Sequence, residues 1–155
     1  MKQIMTTNLK QAISNVLELM FFVSVQVMED ENPSSEKPLN GQPCIGATLA
    51  FSGPLSGSYY LLIPQEMARE ITANFLGLDD DEVSGNQAQD TVKEALNMIG
   101  GHMLSLTEEP DNFQLGIPAI IPELDADPGA YSGSRENAIF IEAGSYRMIA
   151  GIELS

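Results

Sequence analysis

The run Thr91-Val92-Lys93-Glu94-Ala95-Leu96-Asn97-Met98-Ile99-Gly100-Gly101-His102-Met103-Leu104-Ser105-Leu106 reads as one long amphipathic helix. The spacing starts it between Asn86 and Thr91 and carries it to about Thr107, with Pro110 marking the stop. At roughly 100° per residue, Val92, Ala95, Leu96, Ile99, Met103 and Leu106 share one face, which should bury against a sheet. Glu94, Asn97, Met98, Gly101 and Ser105 fall on the opposite face.

That second face is unusual for a solvated surface. A mid-helix asparagine costs roughly half a kcal/mol relative to alanine and a glycine roughly one. Neither helps a core that lies on the other side. Partner docking is one physical account: Gly101 leaves the ridge flat one turn beyond Asn97, and Met98 offers a flexible apolar contact. Blander accounts exist for each residue. Glu94 would close a capping box if Thr91 were the N-cap, although a start at Asn86 suits the longer polar lead-in. Gly100 lies nearer the buried boundary, where close helix packing would use it. Asn97 would be a solvated polar residue.

Glu94 and Asn97 stand three residues apart, so their side chains are neighbours. The pattern Glu-x-x-Asn occurs three times, at Glu29/Asn32, Glu94/Asn97 and Glu109/Asn112. Context separates them. Residues 29–42 form a polar loop with Pro33, Pro38 and Asn40-Gly41. Glu109-Pro110-Asp111-Asn112 reads as a turn. Only Glu94/Asn97 lies in a periodic apolar segment.

Outward from this helix, the elements alternate in kind. Leu9, Ala12, Ile13, Val16, Leu17 and Met20 mark a first helix with Thr7 or Asn8 as candidate cap. The β-rich Phe21-Phe22-Val23-Ser24-Val25 follows it without a clear boundary. Ile45, Ala47, Leu49 and Phe51 alternate with smaller residues, and Tyr59 to Ile63 is a dense β run. Gly53-Pro54-Leu55-Ser56-Gly57 joins these two as a hairpin. Pro64 opens a second helix at its first position, with Met67, Ile71, Phe75 and Leu76 as its apolar face and Gly77 as its cap. Phe113 to Ile121 is an edge or bulged strand, interrupted by Gly116 and Pro118. Asn137 to Ala143 and Tyr146 to Leu154 flank Gly144-Ser145, a two-residue turn with glycine first. The order predicts an α+β fold, long helices packed on a largely antiparallel sheet. No internal sequence repeat is visible.

Bulk properties narrow the function. A chain of 155 residues, 43% apolar, suits a single domain over residues 1–155 with a sizeable core. Seven Lys plus Arg against 22 Asp plus Glu give a formal charge of −15, which repels nucleic acid and anionic membrane surfaces. With one cysteine, Cys44, and one histidine, His102, there is no zinc cluster. Asp79-Asp80-Asp81-Glu82 lacks the ligand spacing of a calcium loop and reads as an acidic lead-in that favours a helix dipole. No metal site is expected. No apolar run approaches a membrane span and no signal-peptide pattern is present, so a cytoplasmic protein is expected. No Ser/His/Asp arrangement of a hydrolase is recognisable.

Glu94-x-x-Asn97-Met98-Ile99-x-Gly101 resembles the helix motif of the CheC/CheX family of chemotaxis phosphatases, specifically its CheX-like members. The order of helices and hairpins is similar to that family's α+β fold over nearly the whole chain. The resemblance implies hydrolysis of the phospho-aspartate of a CheY-like response-regulator receiver. Asn97 would orient the attacking water and Glu94 would pair with the receiver's lysine. Met98, Gly101, His102 and Ser105 would contact the partner. The Mg²⁺ would belong to the receiver, leaving this chain without a cofactor of its own, and a homodimer is implied. CheC-like members carry the motif on two helices. In the first helix here Glu18 is followed three residues on by Phe21, so one active site is implied. The family often has asparagine after the motif's glycine, where this chain has His102. The wheel puts His102 at the edge of the buried face, suited to a local hydrogen bond or to a role in pH response or partner choice. The alternative is a non-catalytic module that binds a receiver or another signalling partner through the same face.

Overall fold

The structure, a computed structural model, describes residues 2–28, 43–122 and 138–155. The loop expected at 29–42, with its Glu29/Asn32 pair, lies outside them, as does Asn137. The first helix, α1, spans Lys2–Met20 and is followed by a short strand, β1 (Val25–Met28). Strands β2 (Cys44–Ser52) and β3 (Gly57–Pro64) form the expected hairpin, and α2 covers Gln65–Leu76. A single 3-10 turn at Asp80–Glu82 leads into α3 (Gly85–Ser105), and another at Pro110–Asn112 follows it. Two short strands, β4 (Gln114–Leu115) and β5 (Ala119–Ile120), precede the hairpin of β6 (Ile139–Ala143) and β7 (Tyr146–Leu154).

Among the described residues all strand pairs are antiparallel. The sheet order is β1-β6-β7-β3-β2-β4, with β5 also on β2. The helix-and-sheet fold expected from the sequence is therefore present. The interrupted Phe113–Ile121 segment does sit at an edge, split into β4 and β5 around Gly116 and Pro118. Gly144 has φ +60 and Ser145 does not enter the positive-φ region, as a glycine-first hairpin turn requires.

The sheet order has a hidden symmetry. Exchanging β1 with β4/β5, β2 with β6 and β3 with β7 turns the order into its own reverse. The helices obey the same exchange. The buried positions of α1 (Met5, Asn8, Leu9, Ala12, Ile13, Val16, Leu17) repeat with the same alternating three-and-one spacing as those of α3 (Ala88, Thr91, Val92, Ala95, Leu96, Ile99, Gly100, Met103, Leu104). The chain is thus a pseudo-two-fold repeat in burial and topology, although residue identities do not repeat.

Several boundaries differ from expectation. Helix α1 begins at Lys2, so Thr7 and Asn8 are interior rather than capping. The buried Met5 extends the apolar stripe one turn earlier. Thr7 donates back to the Gln3 carbonyl, the usual outlet for a mid-helix hydroxyl. Pro64 is the N-cap of α2 and the last residue of β3, with extended φ −55 and ψ 141, rather than the first helical residue. Met20, Phe75, Leu76 and Leu106, placed on apolar faces by periodicity, are 44%, 41%, 47% and 37% exposed. All four sit at or next to a helix end. Gly77 caps α2 in the left-handed conformation at φ 70, as expected. Asp79 and Glu82 close a capping box on their own 3-10 turn, so this acidic run is tied up locally ahead of α3.

Candidate functional site: the outer ridge of the third helix

Helix α3 is fixed from both ends and from below. Ser84 is its N-cap: the hydroxyl accepts from Gln87 N at 3.1 Å, and the Gln87 side chain accepts from Ser84 N at 2.9 Å. This reciprocal box satisfies two donors at the helix start. The helix therefore begins ahead of Asn86, and Thr91 is a buried interior residue. A Thr91–Glu94 box is excluded, so Glu94 has no capping role.

From below, Tyr59 of β3 reaches the helix backbone, its hydroxyl donating to the Leu96 carbonyl. Burial raises the Tyr59 pKa well above its ordinary value, so the phenol stays a donor. Gly100 makes room for it. A Cβ there would lie 2.8 Å from the Tyr59 hydroxyl and 3.0 Å from side-chain carbons of Leu115 and Leu49. Gly100 is thus the packing glycine anticipated from its boundary position. A Cβ on Gly101 would meet nothing within 4 Å, so the two adjacent glycines serve different ends.

On the outer side, Glu94 is exposed and Asn97 half-buried. Among the described residues neither side chain has a hydrogen-bond or ion-pair partner. The nearest cation in sequence, Lys93, pairs with Asp90 at 3.6 Å, an exposed and weak contact. Gly101 and Ser105 are exposed on the same ridge, and the Ser105 hydroxyl donates to the His102 carbonyl at 2.6 Å. Met98 is less outward than the wheel suggested. It is half-buried and packs against the main core, because α1 lies along that flank.

His102 is half-buried, and its hydrogen bond is not local. Its Nε2 lies 3.0 Å from Asn15 Nδ2 on α1. The sequence contains no signal for Asn15, since a contact between residues 87 apart depends on helix pairing. On α1, Glu18 accepts from the Ser14 hydroxyl at 3.2 Å and from Val25 N at 3.4 Å.

The model of the family described as "Chemotaxis phosphatase CheX" matches residues 45–141. The chain belongs to the CheX family. Its fold is similar to that of chemotaxis protein CheX from Vibrio vulnificus, with 16% identity and a TM-score of 0.72 over 97% of this chain and 96% of that one. A CheX from Desulfovibrio desulfuricans is similar at 18% identity and a TM-score of 0.71, over 97% and 99% of the two chains. The CheX of a Borrelia burgdorferi CheX–CheY–BeF3–Mg²⁺ complex is similar at 18% identity and a TM-score of 0.69, over 96% of each chain. No curated protein matches the chain in sequence. These similarities establish the fold, and the family match establishes membership among chemotaxis phosphatases.

Among the described residues no cluster of three His, Cys, Asp or Glu side chains is placed to hold a metal ion. No described helix is long and apolar enough to cross a membrane.

Proposed function

We propose that this chain hydrolyses the phospho-aspartate of a CheY-like receiver domain with Asn97 and Glu94 as its working pair. The observation that carries the reading is the state of the pair itself. Both side chains lie on the outer ridge of a helix held by Ser84 and Tyr59, and among the described residues neither has a hydrogen-bond or ion-pair partner. A capped or buried pair would have favoured a structural role. The CheX–CheY complex of the Borrelia relative supports a receiver as the partner.

The chemistry asks little of the phosphatase. An acyl phosphate is already prone to hydrolysis, and phosphoryl transfer is mostly positioning and charge stabilisation. The Asn97 amide accepts from and donates to one water, holding it in line with the leaving oxygen. The water oxygen bonds to phosphorus, the bond to the aspartyl oxygen breaks, and the aspartate leaves as a carboxylate. The water's proton ends on the phosphate. A carboxylate at position 97 would repel the phosphoryl group, whereas an amide does not. Glu94, one turn away, pairs with the receiver's lysine and so fixes Asn97 over the phosphorus. Mg²⁺ is bound by the receiver and this chain supplies none. Met98, Gly101, His102 and Ser105 lie within the footprint. The same reading places the protein in the cytoplasm as a homodimer.

The test is phosphate loss from a panel of Mg²⁺-bound phosphorylated receivers, with wild type beside Asn97→Ala and Glu94→Ala. Asn97→Ala should lose turnover and keep much of its binding, and Glu94→Ala should weaken docking as well. Equal rates for wild type and Asn97→Ala would sink the proposal. Binding without acceleration would make the chain a non-catalytic receiver-binding module.

A further inference from the structure

We propose that the receiver-docking surface extends from α3 onto the C-terminal end of α1, where Leu19 and Phe22 supply its apolar half. The proposal rests on the phosphatase reading above and names the part of the surface that holds the receiver rather than the part that acts on it.

The geometry begins with the Asn15–His102 contact at 3.0 Å, which fixes α1 beside α3 at the edge of the ridge. The pseudo-two-fold exchanges the antiparallel neighbours β3 and β7 and so runs α1 antiparallel to α3. One turn along from Asn15–His102 in antiparallel helices, Leu19 on α1 comes level with Met98 on α3. Met98 is one turn beyond Glu94, so Leu19 lies on the flank of the working pair. Yet Leu19 is 74% exposed, although it is on the side of α1 that turns toward α3.

Phe22 lies just beyond, at the end of the same helix. It is 78% exposed and has φ +58, the only described non-glycine residue with positive φ. That region suits glycine and is rarely adopted by a bulky side chain. Helix α2 ends in the same conformation and does use glycine, Gly77 at φ 70. Folding gains little from a phenyl ring left mostly in water at a position made for glycine. A partner that covers the ring gives it a use. The next residue inward, Phe21, is buried and packs against Phe75 with ring centroids 5.3 Å apart, so the backbone carrying Phe22 is anchored.

Area argues the same way. A stable interface covers about 800 Å² on each partner, more than a single helix ridge with a glycine in its middle offers. Interfaces combine an apolar centre with a polar rim. Leu19, Met98 and Phe22 provide the centre beside Glu94 and Asn97, and the occupant is the receiver already engaged by that pair.

The experiment compares the full chain with its Phe22→Gly and Leu19→Ser variants. Affinity is titrated against Mg²⁺- and beryllofluoride-loaded receivers, KM and kcat are measured with the phosphorylated receiver, and unfolding midpoint and oligomeric state are recorded. Phe22→Gly should hold or raise the unfolding midpoint, because glycine fits the left-handed position. It should nevertheless weaken receiver binding about fivefold, and Leu19→Ser about tenfold, as loss of a packed apolar anchor does. Both should raise KM and leave kcat in place, whereas Asn97→Ala should do the opposite. Unchanged affinity and KM in both variants, with an active wild type, would overturn this extension and leave the phosphatase reading standing. A fall in oligomeric state with unchanged receiver affinity would assign the patch to a second copy and overturn it too. Absence of binding by the wild type to every receiver would overturn both readings.

Discussion

The Tyr59 hydroxyl donates to the carbonyl of Leu96, the residue immediately before Asn97. A strand in the centre of the sheet is thereby tied to the helix backbone directly under the candidate site. The phenol is 1% exposed, and burial raises its pKa. The folded state therefore keeps the proton longer than the unfolded state. Stability contributed by the neutral phenol is fully present below about pH 10, the ordinary tyrosine value, and falls as pH rises above it.

Tyr59→Phe should cost about 1 kcal/mol at neutral pH, the net worth of one buried hydrogen bond. Above pH 10 the gap between wild type and variant should narrow, because the variant has no Tyr59 proton to lose. Urea unfolding at pH 7 and at pH 10.5 checks both statements. A gap that widens with pH would contradict the assignment of the buried donor.

Ser84 offers a contrast, since it supports α3 from ten residues before Glu94. Ser84→Ala removes the acceptor for Gln87 N and should cost about 1 kcal/mol, as loss of an N-cap does. The site lies nearly three turns away, so kcat on a phosphorylated receiver should stay within about twofold. A large kcat loss with little change in stability would mean that the helix start is coupled to the ridge.

What could be read from the sequence follows from range. The long apolar period of α3, the β2–β3 alternation and the Gly144 turn are local signals, and the structure contains each. The Ser84-x-x-Gln87 box is a local signal too, hidden behind the acidic run that precedes it. The start of α1 lacks such a signal, as Met5 is the only described residue buried ahead of Asn8. The split of roles between Gly100 and Gly101 follows from a turn of 100° between neighbours, and the wheel placed them correctly. Asn15 could not be found, because its partner His102 is set by helix pairing. The pseudo-two-fold stayed hidden for a related reason: the halves share burial spacing, and spacing tolerates many residue identities.

The Asn15–His102 contact can be weighed by a double-mutant cycle. Each of Asn15→Ala and His102→Ala should lower stability by about 0.5–1.5 kcal/mol, the range for one hydrogen bond. The double variant should lose less than the two losses added, with a coupling of at least about 0.5 kcal/mol. Additive losses would mean that the two side chains stabilise the fold independently. The same cycle on KM reports whether the pairing of α1 with α3 shapes the receiver surface.

The adjacent glycines give the sharpest separation of fold from function. Gly100→Ala forces a methyl group to 2.8 Å from the Tyr59 hydroxyl and to 3.0 Å from Leu49 and Leu115, an overpacking that should cost about 1–3 kcal/mol. Gly101→Ala places the same methyl in open space and should stabilise the helix by up to about 1 kcal/mol through propensity alone. If the ridge docks a receiver, the second variant should be the more stable protein and the poorer phosphatase, with KM raised several-fold. Thermal unfolding and receiver dephosphorylation, run on both variants, decide it. A Gly101→Ala protein with higher stability and unchanged KM would show that the flat ridge is not covered when the receiver binds.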